Sequence, residues 1–226
     1  QLHEALLQKE KLSAVGKAMS MLMHDLRSPI KNIPVLTSCL RSEGIDSQWL
    51  DMVDTCGEQA SEIFDDFLDF IREAPLQRKK VAVKELIKEG IALAKNRSEN
   101  NDIAIDEKVD ATLFVSGDMS KLKRVIMNLV SNSLDVLKDA KTANPKVSIE
   151  ASRSGEIVVI KIRDNGPGIP EKIFNNLFDP FITSNKSNGT GLGLAIVKQY
   201  VVAHEGNISV INNHGAVFTI QLPVAE

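Results

Sequence analysis

The sequence is poor in cysteine: Cys39 and Cys56 are the two present in 226 residues. Neither lies in a Cys-x-x-Cys pair, and two thiols cannot build a disulfide framework of the secreted kind, which points to a reduced, intracellular setting. No apolar run approaches the roughly 18 residues that a bilayer-spanning helix requires. A signal peptide is also missing, and the chain begins at Gln1, which reads as a piece excised from something longer. With 13 Gly and 8 Pro, the composition excludes a fibrous or low-complexity disordered chain. There is no basic excess either: the formal net charge is -3, which argues against a broad surface for gripping nucleic acid. What is present is ordinary for a globular protein, 43% hydrophobic and 25% charged residues, in a length that allows one large domain or two small ones.

The composition changes near residues 72–80. Residues 1–80 are glycine-poor and helix-favouring, with 10 basic and 13 acidic side chains. From Val81 onward the charges balance, glycine becomes common and short β-branched runs appear. Pro75 and the cluster Arg78, Lys79 and Lys80 mark a linker, expected at 75–80, between an N-terminal domain at 1–74 and a second at 81–226.

Within the first region, Leu12, Val15, Met19, Leu22, Leu26, Pro29, Ile33, Leu36 and Leu40 recur at gaps of three and four, a heptad seam. Gly44 is a stop signal. A second run, Trp49, Val53, Cys56, Ala60, Ile63, Phe67 and Phe70, repeats the alternation. Two helices with one apolar stripe each predict a hairpin with too little core of its own. Dimerisation into a four-helix bundle would bury both stripes. A plain dimerisation element fits this periodicity equally well.

The second region alternates helices and strands. Val83–Ala94, Leu122–Leu137 and Gly193–Ala203 have helical spacing. Strands are expected at Ile103 and Ile105, Leu113–Val115, Val147–Ala151, Ile157–Ile162, Asn207–Ile211 and Val217–Leu222. The fold class is therefore α+β overall: a helical hairpin followed by an α/β sandwich, helices on one face of a mixed sheet.

Four groups of residues carry chemistry. His24, in Met-His-Asp-Leu-Arg-Ser-Pro, falls at heptad position f, away from the seam. Asp25 beside it could orient the ring and take up its proton, and Pro29 interrupts the helix one turn later. A surface histidine beside a helix kink has the same pattern. Asn128 and Asn132 share one helix face at i and i+4, and amide oxygens are hard ligands suited to Mg²⁺ with phosphate oxygens. Any polar helix surface could look alike. Asp164-Asn-Gly166-Pro-Gly168 follows a strand directly: the glycines let a ligand approach the backbone, and Asp164 can accept a bond from an exocyclic amine. A Pro/Gly turn alone would also read this way. Finally Phe178-Asp-Pro-Phe181 precedes a polar loop with Lys186, then Gly189-Thr190-Gly191-Leu192-Gly193-Leu194. That glycine cluster opens a helix, whose N-terminal N–H groups suit phosphate. It is neither a P-loop nor a Rossmann fingerprint.

In order and spacing, the set resembles the dimerisation and catalytic core of the sensor histidine kinases of two-component systems, over nearly the whole chain. His24-Asp25 with Pro29 matches their phospho-acceptor box, Asn128 and Asn132 the N box, and Asp164, Gly166 and Gly168 the first glycine box. Phe178 and Phe181 match the F box, and Gly189, Gly191 and Gly193 the second glycine box. His204-Glu205-Gly206-Asn207-Ile208 and Gly215–Ile220 look like the closing strands. The resemblance implies a Bergerat-type ATP-binding domain, and ATP and Mg²⁺ as substrate and cofactor. It implies His24 as phosphoryl acceptor on Nε2, with Asp25 as general base or orienter. Asn132 would be the metal ligand, with Asn128 assisting. Asp164 would read the adenine amine, Gly168 would shape the pocket and Lys186 would reach phosphate from a lid spanning about 179–189. The backbone of Gly191–Leu194 would cradle the triphosphate. It further implies a homodimer, a receiver domain of a response regulator as partner, no nucleic acid, no membrane contact from this fragment and a cytoplasmic location, whether or not the parent protein is membrane-anchored.

Three departures stand out. Three positions after the second N-box asparagine, where many members are basic, this chain has Asp135. Position +4 from His24 is Ser28, the phosphatase candidate, where strong phosphatases usually carry Thr or Asn; a serine hydroxyl can orient a water. The lid is short. Competing readings are an ATPase clamp of the same nucleotide fold, against which the His24 box argues, and a catalytically silent dimeric scaffold, against which the filled nucleotide positions argue.

Overall fold

The structure, a computed structural model, describes residue 26 and residues 30–45, 47–71, 75–97, 103–183 and 191–225. The chain divides into two compact units, residues 1–74 and 75–226. His24, Asp25, Ser28 and Pro29, and likewise Lys186, Gly189 and Thr190, lie outside the described residues.

In the first unit, α1 (Ile33–Ser42) and α2 (Gln48–Ile71) pack as a pair. Gly44 ends α1 as the sequence predicts. It takes φ +83°, its N–H donates to Arg41 O at 3.0 Å, and Ile45 N–H donates to Leu40 O at 3.0 Å, a Schellman closure that a residue with a Cβ disfavours. Ser47 opens α2, its hydroxyl accepting Trp49 N–H at 3.1 Å. Between the helices lies a polar clasp that the apolar periodicity did not announce. Buried Thr37 donates to Asp54, and Arg41 donates to Asp54 at 2.7 Å and Asp51 at 2.6 Å. The hydroxyl of Thr37 and then the guanidinium of Arg41 hold the Asp54 carboxyl below its ordinary range. The apolar stripes stay at the surface of the single chain: Leu36 is 62% and Trp49 64% exposed, with Leu26, Leu40, Val53 and Ile63 also exposed.

The second unit holds a two-stranded antiparallel ribbon of β1 (Lys79–Ala82) and β3 (Phe114–Gly117). Its main sheet has five strands, β2 (Ala104–Val109), β4 (Lys146–Ser154), β5 (Ile157–Asp164), β6 (Asn207–Asn212) and β7 (Ala216–Pro223), in the order β2-β4-β5-β7-β6. The β2–β4 pair is parallel and the others antiparallel, so the sheet is mixed as expected. Alternate residues of β4 and β5 (Val147, Ile149, Val158, Ile160, Ile162) are buried, the period-2 signature of a sheet with one covered face. The helices α3 (Val83–Arg97) and α4 (Met119–Asp139) pack on each other, and α4 also packs on α6 (Gly193–Ala203) and on β4 and β5. Leu122, Val125, Ile126, Leu129, Val130, Leu134 and Leu137 form the buried stripe of α4 at the helical spacing read from the sequence. A single turn of helix, α5 (Glu171–Phe174), follows the first glycine box.

One boundary differs from expectation. Lys79 and Lys80, placed in the linker by their charge, form the first half of β1: their backbones pair with Gly117 and Ser116 while both side chains remain exposed, so a polar sequence hides the strand. His204, which the resemblance put with the closing strands, caps the C-terminus of α6, and α6 ends at Ala203 and β6 starts at Asn207 as the spacing predicts. The His204 ring is fully buried; its Nε2 accepts Asp118 N–H at 2.9 Å and its Nδ1–H donates to Tyr200 O at 2.6 Å. Asp118 in turn caps α4, accepting Ser120 N–H at 3.0 Å and Lys121 N–H at 3.3 Å, and it takes Gln77 N–H at 3.1 Å. Burial opposes the charge on Asp118, but those backbone donors, with the Lys121 cation, outweigh it and hold the carboxyl below its ordinary range. No helix among the described residues is long and apolar enough to cross a membrane.

Candidate nucleotide site

The described residues of the N box and of the two glycine boxes, scattered over 65 positions of sequence, meet along one side of α4. Asp164 ends β5 on its buried face and is 4% exposed. Its Oδ1 accepts Gly166 N–H at 2.9 Å and Ala216 N–H at 3.2 Å. Those two bonds fix the carboxyl plane, and Oδ2 accepts nothing among the described residues, which leaves an acceptor of fixed direction. A Cβ on Gly166 would stand 3.3 Å from Val136 and 3.5 Å from Leu137, so the first glycine box lies against the last turns of α4.

Asn132 is one turn back from Val136. It is half-buried and makes no hydrogen bond among the described residues. Asn128, one turn further back, is buried at 5% exposure, and its Nδ2 donates to Gly193 O at 3.4 Å, which ties α4 to the first turn of α6. The line from Val136 through Asn132 to Asn128 spans about 12 Å at 1.5 Å per residue. That length suits a nucleotide laid out with its base at Asp164 and its phosphates at α6. Among the described residues no side chain caps the first turn of α6, and its N–H groups and positive helix end suit an anion. Leu192, just before it, is buried, and Leu194 is half-buried.

The F box meets the second glycine box. Phe181 N–H donates to Gly191 O at 2.9 Å, and a Cβ on Gly191 would stand 2.6 Å from the Phe181 carbonyl carbon. Phe181 and Gly191 therefore meet backbone to backbone. Phe178 is half-buried, whereas Phe181, at φ +66°, is 64% exposed. Asp135 is half-buried, three residues beyond Asn132.

Two asparagines in this neighbourhood escaped the sequence reading. Asn165 accepts Lys146 N–H at 2.8 Å and donates to Asn144 O at 2.9 Å, latching the loop before β4 to the end of β5. Asn212, at the end of β6, binds Ile169 through both its amide atoms. The Asn165 signal was its place inside Asp-Asn-Gly-Pro-Gly; Asn212 had none.

Residues 117–226 match the family model of histidine kinase-, DNA gyrase B- and HSP90-like ATPases. AtoS, the signal transduction histidine-protein kinase of Escherichia coli (strain K12), is 30% identical over 96% of this chain. The chain belongs to the sensor histidine kinases. It spans 36% of the length of AtoS. Among solved structures, the catalytic domain of histidine kinase ThkA superposes with a TM-score of 0.57 at 30% identity, covering 65% of this chain and 95% of that one. Full-length ShkA, in complex with AMPPNP, gives a TM-score of 0.78 at 21% identity over 92% of this chain and 46% of that one, a likeness of fold. The residues that the family boxes single out, where described, converge on α4, Asp164 and the start of α6.

For Mg²⁺ the donor set fits. Among the described residues no group of three His, Cys, Asp or Glu could cage a metal, and Mg²⁺ is usually held by one or two protein oxygens together with substrate phosphates and waters. The Asn132 amide, one helical turn from the Asn128 that meets Gly193, is of that kind.

Proposed function

We propose that this chain is the kinase core of a two-component sensor: it binds ATP, phosphorylates itself on His24 and passes the phosphoryl group to an aspartate on the receiver domain of a response regulator. The observation that carries this reading is the placement along α4 of an oriented carboxylate acceptor (Asp164) at one end, an uncommitted amide (Asn132) in the middle and an uncapped helix N-terminus at the other. Asp164 accepts the adenine amine. Asn132, assisted by Asn128, holds Mg²⁺, which supplies charge neutralisation at the phosphate oxygens. The backbone from Gly191 to Leu194 takes the triphosphate, and Lys186 adds a cation from the lid. Phosphoryl transfer needs positioning and charge neutralisation more than covalent help from the protein, and these groups provide both.

In the transfer step, the free imidazole nitrogen of His24 attacks the γ-phosphorus. The N–P bond forms, the bond to the bridging oxygen breaks, and ADP leaves with that electron pair. Asp25 orients the ring and takes up its proton. The phosphohistidine then donates to the regulator. ThkA, whose catalytic domain shares 30% identity with this chain, has been solved with the response regulator protein TrrA, which supports a partner of that class. Ser28 is the candidate for orienting a water in dephosphorylation of that partner. The exposed stripes of α1 and α2 support a homodimer, and the free thiols of Cys39 and Cys56 agree with a cytoplasmic setting.

Incubation with γ-labelled ATP and Mg²⁺ should yield an acid-labile, base-stable phosphoryl label. His24→Gln should abolish it while ADP still binds. Label retained in that variant would refute the acceptor assignment.

A further inference from the structure

The stretch Pro167–Pro170, which holds Gly168 of the first glycine box, lies outside any strand. Both prolines lack an N–H, so Gly168 and Ile169 carry its backbone donors. The Ile169 peptide groups are taken up by the last residue of β6. Asn212 Oδ1 accepts Ile169 N–H at 2.9 Å, and Asn212 Nδ2 donates to Ile169 O at 2.8 Å. A carboxamide offers one acceptor and one donor side by side, so it stands in for a neighbouring strand at that one residue. Gly168, at φ +79°, lies under the same amide: a Cβ there would come 2.9 Å from Asn212 Oδ1.

Asn212 is also joined to the other wall of the site. Its ladder partner on β7 is Ala216, whose N–H donates to Asp164 Oδ1 at 3.2 Å. Next to it, Asn213 O accepts from Arg163 Nη2 at 2.8 Å. The turn between β6 and β7 therefore holds Asp164 with one hand and Gly168–Ile169 with the other, and Asn212 sets the gap between them.

We propose that Asn212 is a positioning residue for base recognition, acting through Gly168 and Ile169 to keep the base edge-on to the Asp164 carboxylate. The inference rests on the nucleotide reading given above and deepens it. Adenine turns an amine toward Asp164, whereas guanine turns a carbonyl oxygen, an acceptor facing an acceptor. Discrimination between them depends on how tightly the base is held in plane, which is the work of the wall that Asn212 anchors. Among the described residues no hydrogen bond joins Asn212 to Asn128 or to α6 at the phosphate end.

The test is titration of the full chain with Mg²⁺-ADP and Mg²⁺-GDP, for wild type, Asn212→Ala and Asn212→Asp, with thermal midpoints recorded alongside. Asn212→Ala should weaken ADP about tenfold, the order expected for two lost hydrogen bonds, and GDP much less, so that the preference for adenine narrows. Asn212→Asp keeps the acceptor for Ile169 N–H and loses the donor, and should fall between the two. In the label assay the KM for ATP should rise more than kcat falls. Equal ADP affinity in wild type and both variants would overturn the proposal, and so would ADP and GDP weakening by one common factor alongside a lower midpoint. Wild type failing to bind ADP would instead overturn the nucleotide reading itself.

Discussion

Gly215 stands against Asp164 so closely that a Cβ on it would come 2.0 Å from the Asp164 carbonyl oxygen. The contact is with backbone at the end of a strand inside a five-stranded sheet, which has little freedom to yield. The same carboxylate takes the N–H of the next residue, Ala216, so the turn between β6 and β7 and the acceptor at the end of β5 form one rigid piece.

Gly215→Ala should therefore disturb both fold and site. Overpacking at such a contact costs about 1–3 kcal/mol, and φ +122° at this position strains any side chain. Urea unfolding should show the loss, and ADP affinity should fall with it. A variant with wild-type midpoint and affinity would mean that the turn moves freely relative to β5.

Asn132→Ala should leave the thermal midpoint nearly unchanged, because its amide makes no hydrogen bond among the described residues. The phosphoryl label should be lost, and the Mg²⁺-dependent part of ATP affinity should drop about tenfold or more. If Mg²⁺ strengthens ATP binding equally in wild type and variant, Asn132 is not a metal ligand.

His204 should make stability pH-dependent. Burial first, then the Arg78 and Lys121 cations, lower its pKa in the folded state, against the opposing pull of Tyr200 O and Asp118. The unfolded ring takes a proton near its ordinary value of about 6.5, whereas the folded ring resists it. The unfolded state thus binds more protons below that point, and stability falls as the pH drops from about 6.5 through the lower folded pKa. Urea midpoints at pH 7.5, 6.0 and 5.0 should decline more steeply in wild type than in His204→Asn. Parallel profiles for the two would count against this role.

Leu36→Glu combined with Val53→Glu should convert a dimer to a monomer without unfolding the chain, since both side chains are already exposed in it. Sedimentation at micromolar concentration reads this directly. Wild type sedimenting as a monomer would contradict the four-helix bundle.

Helix and strand periods reveal how each residue meets its nearest neighbours in sequence, and that much was legible. The α4 stripe from Leu122 to Leu137, the alternation of β4 and β5 and the stop at Gly44 appear where spacing and turn chemistry put them. The glycine and asparagine boxes were legible as well, because their residue types are unusual for the elements that carry them. Period says nothing about a strand with charged, exposed side chains, so Lys79–Ala82 became visible only through its pairing with β3. Nor does it report a polar residue whose partner lies far along the chain: Thr37 with Asp54, His204 with Asp118 and Asn212 with Ile169 are 17, 86 and 43 positions apart. Local sequence thus determined which chemistry this protein carries. Only the tertiary structure decided which groups hold that chemistry in place, because hydrogen bonds between distant segments exist only after the sheet and helices have packed.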